Sequence, residues 1–323
     1  HIKRGETWQQ SVLMLALLLS ALFTLVELNC ENLFDTEHDS LKQDMEFTPR
    51  SDHHWTRTRY WRKLNHISKE IIAMGEDSVN GWQLPDLVAL CEVENDSVMY
   101  DLTRRSLLRG AGYQYVMTES PDVRGIDVAL LYNPFTFHLL RHYSLRVTPV
   151  KDMRPTRDIL YACGVTLNND TLHVFTLHAP SRSGGERPTR PHRMATARRL
   201  AMAIDSIRTL HEEAQIIIAG DFNDYDDGPT LEYLCSQGLV NISAKARGNN
   251  GAKGTYRYRG EWRSHILCSP TLARRVRECF IGDRPFLLEE EPKYGGYRPR
   301  RTYQGPKYQP GYSDHLPLVA RFE

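Results

Sequence analysis

The stretch "IIIAGDFNDYDD", Ile216 to Asp227, decides how this chain is read. Its first four residues, Ile216 to Ala219, form a continuous apolar run of strand length, and a strand without polar alternation is covered on both faces. Gly220 ends the run, and Asp221, Asn223 and Asp224 follow at once. Carboxylates and an amide thus stand where a buried strand opens into a loop, the place where open sheets take up ligands. Asp and Asn are also ordinary turn formers, so the stretch alone leaves a site and a polar turn both open.

The same shape recurs on either side. "TLHVFTLHAP" reads as a strand ending in His178, "DLVALCEVEND" as a buried strand Leu87 to Cys91 running into Glu92, and "FTLVELN" as a first strand, Phe23 to Asn29. "YSDHLPLVARF" puts Asp314 and His315 just before a last strand, Leu316 to Phe322. Helices are expected at Thr56 to Met74, where Trp61, Leu64, Ile67, Ile71 and Ile72 recur at helical spacing, at Ser97 to Arg109 and at Arg187 to Leu210. Further strands are expected near Tyr113 to Met117, Asp127 to Tyr132, Phe137 to Val147, Ile159 to Leu167, Thr255 to Arg259 and Ile266 to Ser269. Runs of strands broken by few helices predict an α+β fold, two packed sheets with helices outside. Strand ends in such a pair can meet at one rim, which would bring Asn29, Glu92, His178, Asp221 with Asn223, and Asp314 with His315 together.

Composition narrows the function. The 323 residues carry 41 Lys and Arg against 40 Asp and Glu, a net charge of +1, which argues against non-specific polyanion binding as the main role. Two local basic runs stand out, Arg182 to Arg199 and Lys293 to Lys307. Six scattered cysteines with no C-x-x-C pair argue against zinc and against a disulfide framework. No linker or repeat divides residues 23–323, which read as one domain. Before it, Lys3 and Arg4 precede Ser11 to Val26, sixteen residues without a charge. That pattern fits a secretory signal and is short for a membrane span. The expectation is export to the periplasm or outside the cell, or attachment to a membrane through residues 1–22; an apolar helix packed on the domain is the alternative.

"LNCENLFD", "ALCEVEN", "TLHAPSRSGG", "IIAGDFND" and "YSDHLPLV", in this order between about Leu25 and Phe322, resemble the motif series of the endonuclease/exonuclease/phosphatase superfamily. The resemblance implies a four-layered α/β sandwich of two packed mixed sheets flanked by helices. It implies a divalent metal, Mg²⁺ foremost with Mn²⁺ or Ca²⁺ as alternatives, and hydrolysis of a phosphate ester by water. In this pattern Glu92 is the principal metal ligand, with Asn29 and Asp314 beside it. Asp221 orients or deprotonates the water, Asn223 holds a phosphate oxygen, and His315 contacts the phosphate or moves a proton. His178 matches the deoxyribonuclease branch and works from the opposite side. Such hydrolysis needs an activated water, charge stabilisation and a protonated leaving oxygen, and hard oxygen ligands suit these cations.

Asp127, which opens a strand, is the candidate to orient His178. Arg182, followed by Gly184 and Gly185, is the candidate to reach a phosphate. One departure stands out. The family commonly has an Asp soon after a Trp, holding the last histidine, and here "GEWRSHILCSP" puts Ser264 or His265 in its place. Asp283 or one of Glu289 to Glu291 then substitutes, or activity is lowered. The expected function is a metal-dependent phosphodiesterase, a nuclease above all, acting as a monomer without a stable protein partner. A phosphomonoesterase or lipid phosphodiesterase is the alternative within the fold, and a binding protein without catalysis the alternative outside it. Two loops rich in aromatics, Arg and Lys, at residues 38–61 and 289–312, suit a nucleic acid, a sugar phosphate or a headgroup.

Overall fold

A computed structural model describes residues 23–256 and 264–323. The segment expected to be a signal or anchor, residues 1–22, lies outside the described residues, as do residues 257–263 with Trp262 and most of the strand expected at Thr255 to Arg259. Among the described residues no helix is long and apolar enough to cross a membrane.

In chain order the main elements are β1 (Phe23–Leu33), α1 (Arg57–Ala73), β2 (Leu87–Val93), α2 (Asp96–Arg104), β3 (Gln114–Met117) and β4 (Asp127–Tyr132). Then come β5 (Phe137–Leu145), β6 (Ile159–Thr166), β7 (Thr171–His178), α3 (Glu186–Leu210) and β8 (Gln215–Asp221). The chain continues through α4 (Pro229–Ser236), β9 (Val240–Asn241), β10 (Ser264–Cys268), β11 (Val276–Ile281) and β12 (Leu318–Phe322).

Local chemistry explains most boundaries. The Thr56 side chain accepts from Arg59 N at the start of α1, and Asn95 does the same from Val98 N for α2. α2 stops at Arg104, short of the expected Arg109. Ser106 follows, donating to Leu102 O and accepting from Leu108 N, and a short 3₁₀ turn replaces the helix. β12 begins at Leu318 and not at Leu316, since Pro317 has no N–H for a ladder. Among the described residues, Tyr256 takes part in an isolated bridge to His315.

The strands build two six-stranded sheets, β11-β12-β1-β2-β4-β3 and β9-β10-β8-β7-β6-β5. Each has one parallel pair at its centre, β1 with β2 and β7 with β8, and antiparallel neighbours elsewhere. A parallel pair needs a crossover, and α1 and α3 supply them. One apolar core lies between the sheets and under α1, joining Leu64, Ile67 and Ile71 to Leu87, Val128, Ile217, Ala219 and Ile266. A second lies under α3, where Ala197, Leu200, Ile204 and Ile207 meet Tyr161, Phe175, Ile216 and Ile218. The continuous run Ile216 to Ala219 is therefore split, alternate residues serving each core, as its lack of polar alternation requires. The result is the four-layered sandwich.

Candidate functional site

The polar strand ends do converge. β1 and β2 run parallel with Asn29 opposite Cys91, and β7 and β8 run parallel with His178 opposite Asp221. All four strands thus end on the same rim, two from each sheet. Gly220 makes the second pair possible at this spacing, because a Cβ there would stand 1.9 Å from Leu177 O. β1 and β2 both break register at the rim, between Asn29 and Leu33 and between Cys91 and Val93. The bulged residues Glu31, Asn32 and Glu92 take left-handed backbone (φ 50°, 56° and 61°), and Asn223 does so at 49°. Four non-glycine residues in that region at one rim mark a backbone held by its surroundings, and a bulge re-aims the side chain it carries. At β2 that side chain is Glu92.

Asp221 stands at the centre. Its Oδ2 accepts a hydrogen bond from Asn29 Nδ2 at 3.0 Å, and its Oδ1 accepts from Asn223 N at 2.9 Å. The Nε2 atoms of His178 and His315 each lie 3.7 Å from Oδ2. Asn223 Nδ2 donates to Ala179 O at 3.1 Å and lies 3.2 Å from His178 Nε2. An amide nitrogen can only donate, so His178 Nε2 is assigned as the bare acceptor and Nδ1 carries the proton. Burial above all, then the charges of Arg157 and Arg124 and the proximity of His315, push the His178 imidazole well below its ordinary range. It is neutral at physiological pH.

Glu92 Oε2 accepts from Asn32 N at 2.9 Å, while Oε1 lies 4.0 Å from His178 Nε2 and 3.8 Å from Arg124. Asp314 Oδ2 accepts from Arg301 at 3.1 Å, and Oδ1 lies 3.9 Å from His315 Nε2. Arg301 also reaches Glu31 at 3.3 Å. Arg157 donates to the carbonyls of His178 and Ala179 and is fixed by Asp122 at 2.9 Å. Sequence reasoning missed all three arginines as site residues. Arg301 lay inside a basic run that was noted, whereas nothing local distinguishes Arg124 or Arg157.

Several expected contacts are not formed. Asp127 Oδ1 accepts from Ser120 N at 3.0 Å and from the Thr118 hydroxyl, and its carboxyl is pushed up to about 6 by burial. It does not reach His178, whose Nδ1 has no hydrogen-bond partner. Arg182 donates to Asp224 Oδ1 at 3.0 Å and stacks 3.7 Å over the Tyr225 ring, so its charge is engaged beside the site and not aimed into it. Asp283 accepts from the backbone of Asn249, Asn250 and Ala252, and Glu289 and Glu291 pair with Arg298. None of these acids reaches His315. Of the two residues at the departure, Ser264 faces the inner core and Asp221, while His265 turns outward to Asp224 O and the Phe222 ring.

Among the described residues no group of three or more His, Cys, Asp or Glu stands close enough to hold a metal. The donor chemistry nevertheless fits a hard divalent cation, which takes one or two protein carboxylates and keeps waters. Glu92 and Asp314 supply the carboxylates on one rim, and among the described residues Glu92 Oε1 makes no hydrogen bond.

Comparison with known proteins agrees with the geometry. The profile described as "Endonuclease/Exonuclease/phosphatase family" matches residues 24–323. An endonuclease/exonuclease/phosphatase family protein from Bacteroides thetaiotaomicron is 16% identical, with a TM-score of 0.62, over 94% of this chain and 98% of that one. A mannosyl-6-phosphatase from the same organism is 16% identical, with a TM-score of 0.60, over 92% and 98%. The human Nocturnin catalytic domain with bound sulfate is 16% identical, with a TM-score of 0.58, over 94% of each chain. No curated protein matches the sequence.

Proposed function

Because the chain belongs to the endonuclease/exonuclease/phosphatase family, a family of phosphate-ester hydrolases, we propose that it is a metal-dependent phosphodiesterase that uses water as its nucleophile. The observation that carries this reading is Asp221, with an imidazole 3.7 Å away on either side and amides on both its oxygens. A carboxylate so placed orients and deprotonates a water. An imidazole with a bare Nε2 accepts a proton, and a second one lets both transfers of the reaction be served from one site. Glu92, Asp314 and Asn29 would hold the cation, which when bound neutralises charge on the phosphoryl oxygens. Asn223 and the guanidinium groups of Arg124 and Arg301 offer donors to the same oxygens.

A second reading, a phosphomonoesterase of a small substrate, is favoured by two observations. A cavity of about 530 Å³, lined by Tyr256, Tyr297, Arg298 and Lys253 among others, opens beside His315, whose ring lies 4.9 Å from that of Tyr256. The basic runs are also largely engaged: Arg193 is buried, Arg190 pairs with Glu186, and Arg298 and Arg301 pair with acids. A free cationic track for a polynucleotide is thereby reduced. Assay of the purified protein with Mg²⁺ or Mn²⁺ on bis-p-nitrophenyl phosphate, p-nitrophenyl phosphate, sugar phosphates and DNA decides between them. Faster cleavage of the diesters supports the proposal, faster cleavage of monoesters the second reading. No turnover of any by folded, metal-loaded protein favours a binding protein.

A further inference from the structure

Two residues before Asn29 on β1 stands Glu27, enclosed entirely between the sheets. Strand alternation points both side chains the same way, towards β8 and β10. Glu27 Oε1 receives only a weak contact from Cys91 Sγ at 3.9 Å, and Oε2 has no aligned hydrogen bond. The hydroxyl of Ser264 lies against this carboxyl, and it too is fully buried without an aligned partner. His315 Nδ1 is buried and equally unpartnered. Buried polar atoms are paired almost without exception, so each of these three calls for an explanation.

The backbone brings them together. Thr255 Oγ1 accepts from Ser264 N at 3.4 Å, Thr255 O accepts from Leu316 N at 2.7 Å, and Tyr256 bridges to His315. Ser264 and His315 therefore flank the same two residues. Asp221, whose Oδ2 is 3.7 Å from His315 Nε2, is also the register partner of Ser264. The other acids proposed for this task are placed elsewhere: Asp283, Glu289 and Glu291 are engaged with other partners, and Glu290 is exposed.

We propose that Glu27 is the positioning residue for His315, acting through Ser264: His315 Nδ1–H donates to Ser264 Oγ, and Ser264 Oγ–H donates to the Glu27 carboxyl. His315 Nε2 is then left bare and turned towards Asp221. A serine on β10 and a glutamate on β1 together do what one aspartate on β10 would do. Burial, then the Asp221 charge, push the Glu27 carboxyl upward, but a neutral carboxyl keeps an acceptor oxygen, so the relay does not depend on its ionisation.

The inference rests on His315 having the role given above, and its test is separable from that role. In protein with ¹⁵N-labelled histidine, His315 is expected as the Nδ1–H tautomer with a slowly exchanging, low-field Nδ1 proton. Glu27→Leu and Ser264→Ala should each abolish that signal. Each should lower kcat on bis-p-nitrophenyl phosphate roughly 10- to 100-fold with little change in KM, the scale on which an orienting partner behind a functional histidine acts. Ser264→Asp in the Glu27→Leu background should restore both. If Glu27→Leu does not fold, Ser264→Ala carries the same readout. An unchanged His315 signal in both single variants overturns the relay even in an active enzyme. Loss and restoration of the signal in a protein with no measurable turnover upholds the relay and rejects the hydrolase reading.

Discussion

Asp221 concentrates the chemistry in one carboxyl. Asp221→Asn keeps the shape and removes the charge proposed to orient water, and it should lower turnover roughly 10²- to 10⁴-fold, as should His178→Ala, with folding retained. A wild-type rate in either would assign that side chain to structure alone. The depressed affinity of His178 for a proton has a readable consequence. Its neutral form persists as pH falls below the ordinary imidazole range, so the acidic limb of kcat/KM should not show a histidine titrating near 6.5 that His178→Ala removes. Metal removal acts at this scale too. Excess chelator should abolish activity and Mg²⁺ or Mn²⁺ restore it, with Glu92→Gln needing more metal for half-activation; full turnover in chelator would sink the assignment. Each of these residues stood out in the sequence as a polar group ending an apolar strand. Arg124 and Glu27 did not, because their roles come from partners far along the chain, Asn32 and Glu92 for the first and Ser264 for the second; Arg301 stood out only as part of a basic run. Asp127 shows the converse, a strand-opening acid whose hydrogen bonds are taken by nearby Thr118 and Ser120.

Elements were easier to read than their irregularities. The stripe of α1 and the apolar runs of β2 and β8 fix those elements through burial. The two bulges at the rim, the second of which aims Glu92, were not legible, since left-handed backbone at a glutamate follows from strand pairing and not from residue type. α1 also hides polar groups on its buried face. The Lys63 ammonium donates to Thr302 Oγ1 at 2.7 Å and to Tyr312 O, tying the helix to the segment that leads to Asp314. Glu70 has no hydrogen bond to either carboxyl oxygen, and its carboxyl is pushed up to about 8 by burial, against 4.5 when solvated. The folded chain therefore holds this proton longer than the unfolded chain. Its contribution to stability is full below about pH 4.5, declines as pH rises through 8 and then levels off. Glu70→Leu should stabilise the protein by roughly 1–3 kcal/mol at pH 9, the cost of burying a polar group unpaired. The gain should shrink towards pH 5. Equal denaturation midpoints for variant and wild type at both pH values would show that the buried carboxyl is not what is destabilising.

At the scale of the molecule, the order of motifs along the chain was enough to foresee two sheets meeting at one rim, because each sheet contributes one parallel pair with its carboxyl ends there. The substrate was not legible, since it depends on how loops 38–61 and 289–312 spend their charges. With Arg298 and Arg301 of the second loop already paired to acids, affinity for DNA should fall only modestly between low and physiological salt. A steep decline, the mark of many released counterions, would favour a nuclease with a long footprint.

The placement of β12 bears on how the protein is made. In the first sheet it lies between β1 and β11, and Phe23 is matched with Phe322, about 300 positions later. At 5–20 residues per second, β1 emerges from the ribosome roughly 15 to 60 s before the strand that covers its open side. Throughout that interval the nascent chain presents an unpaired apolar edge, the kind of surface that chaperones bind and that neighbouring chains can invade. Asp314 and His315 emerge just ahead of that strand. A chain cut short of Asp314 cannot assemble the candidate site, which stays incomplete until this sheet is closed.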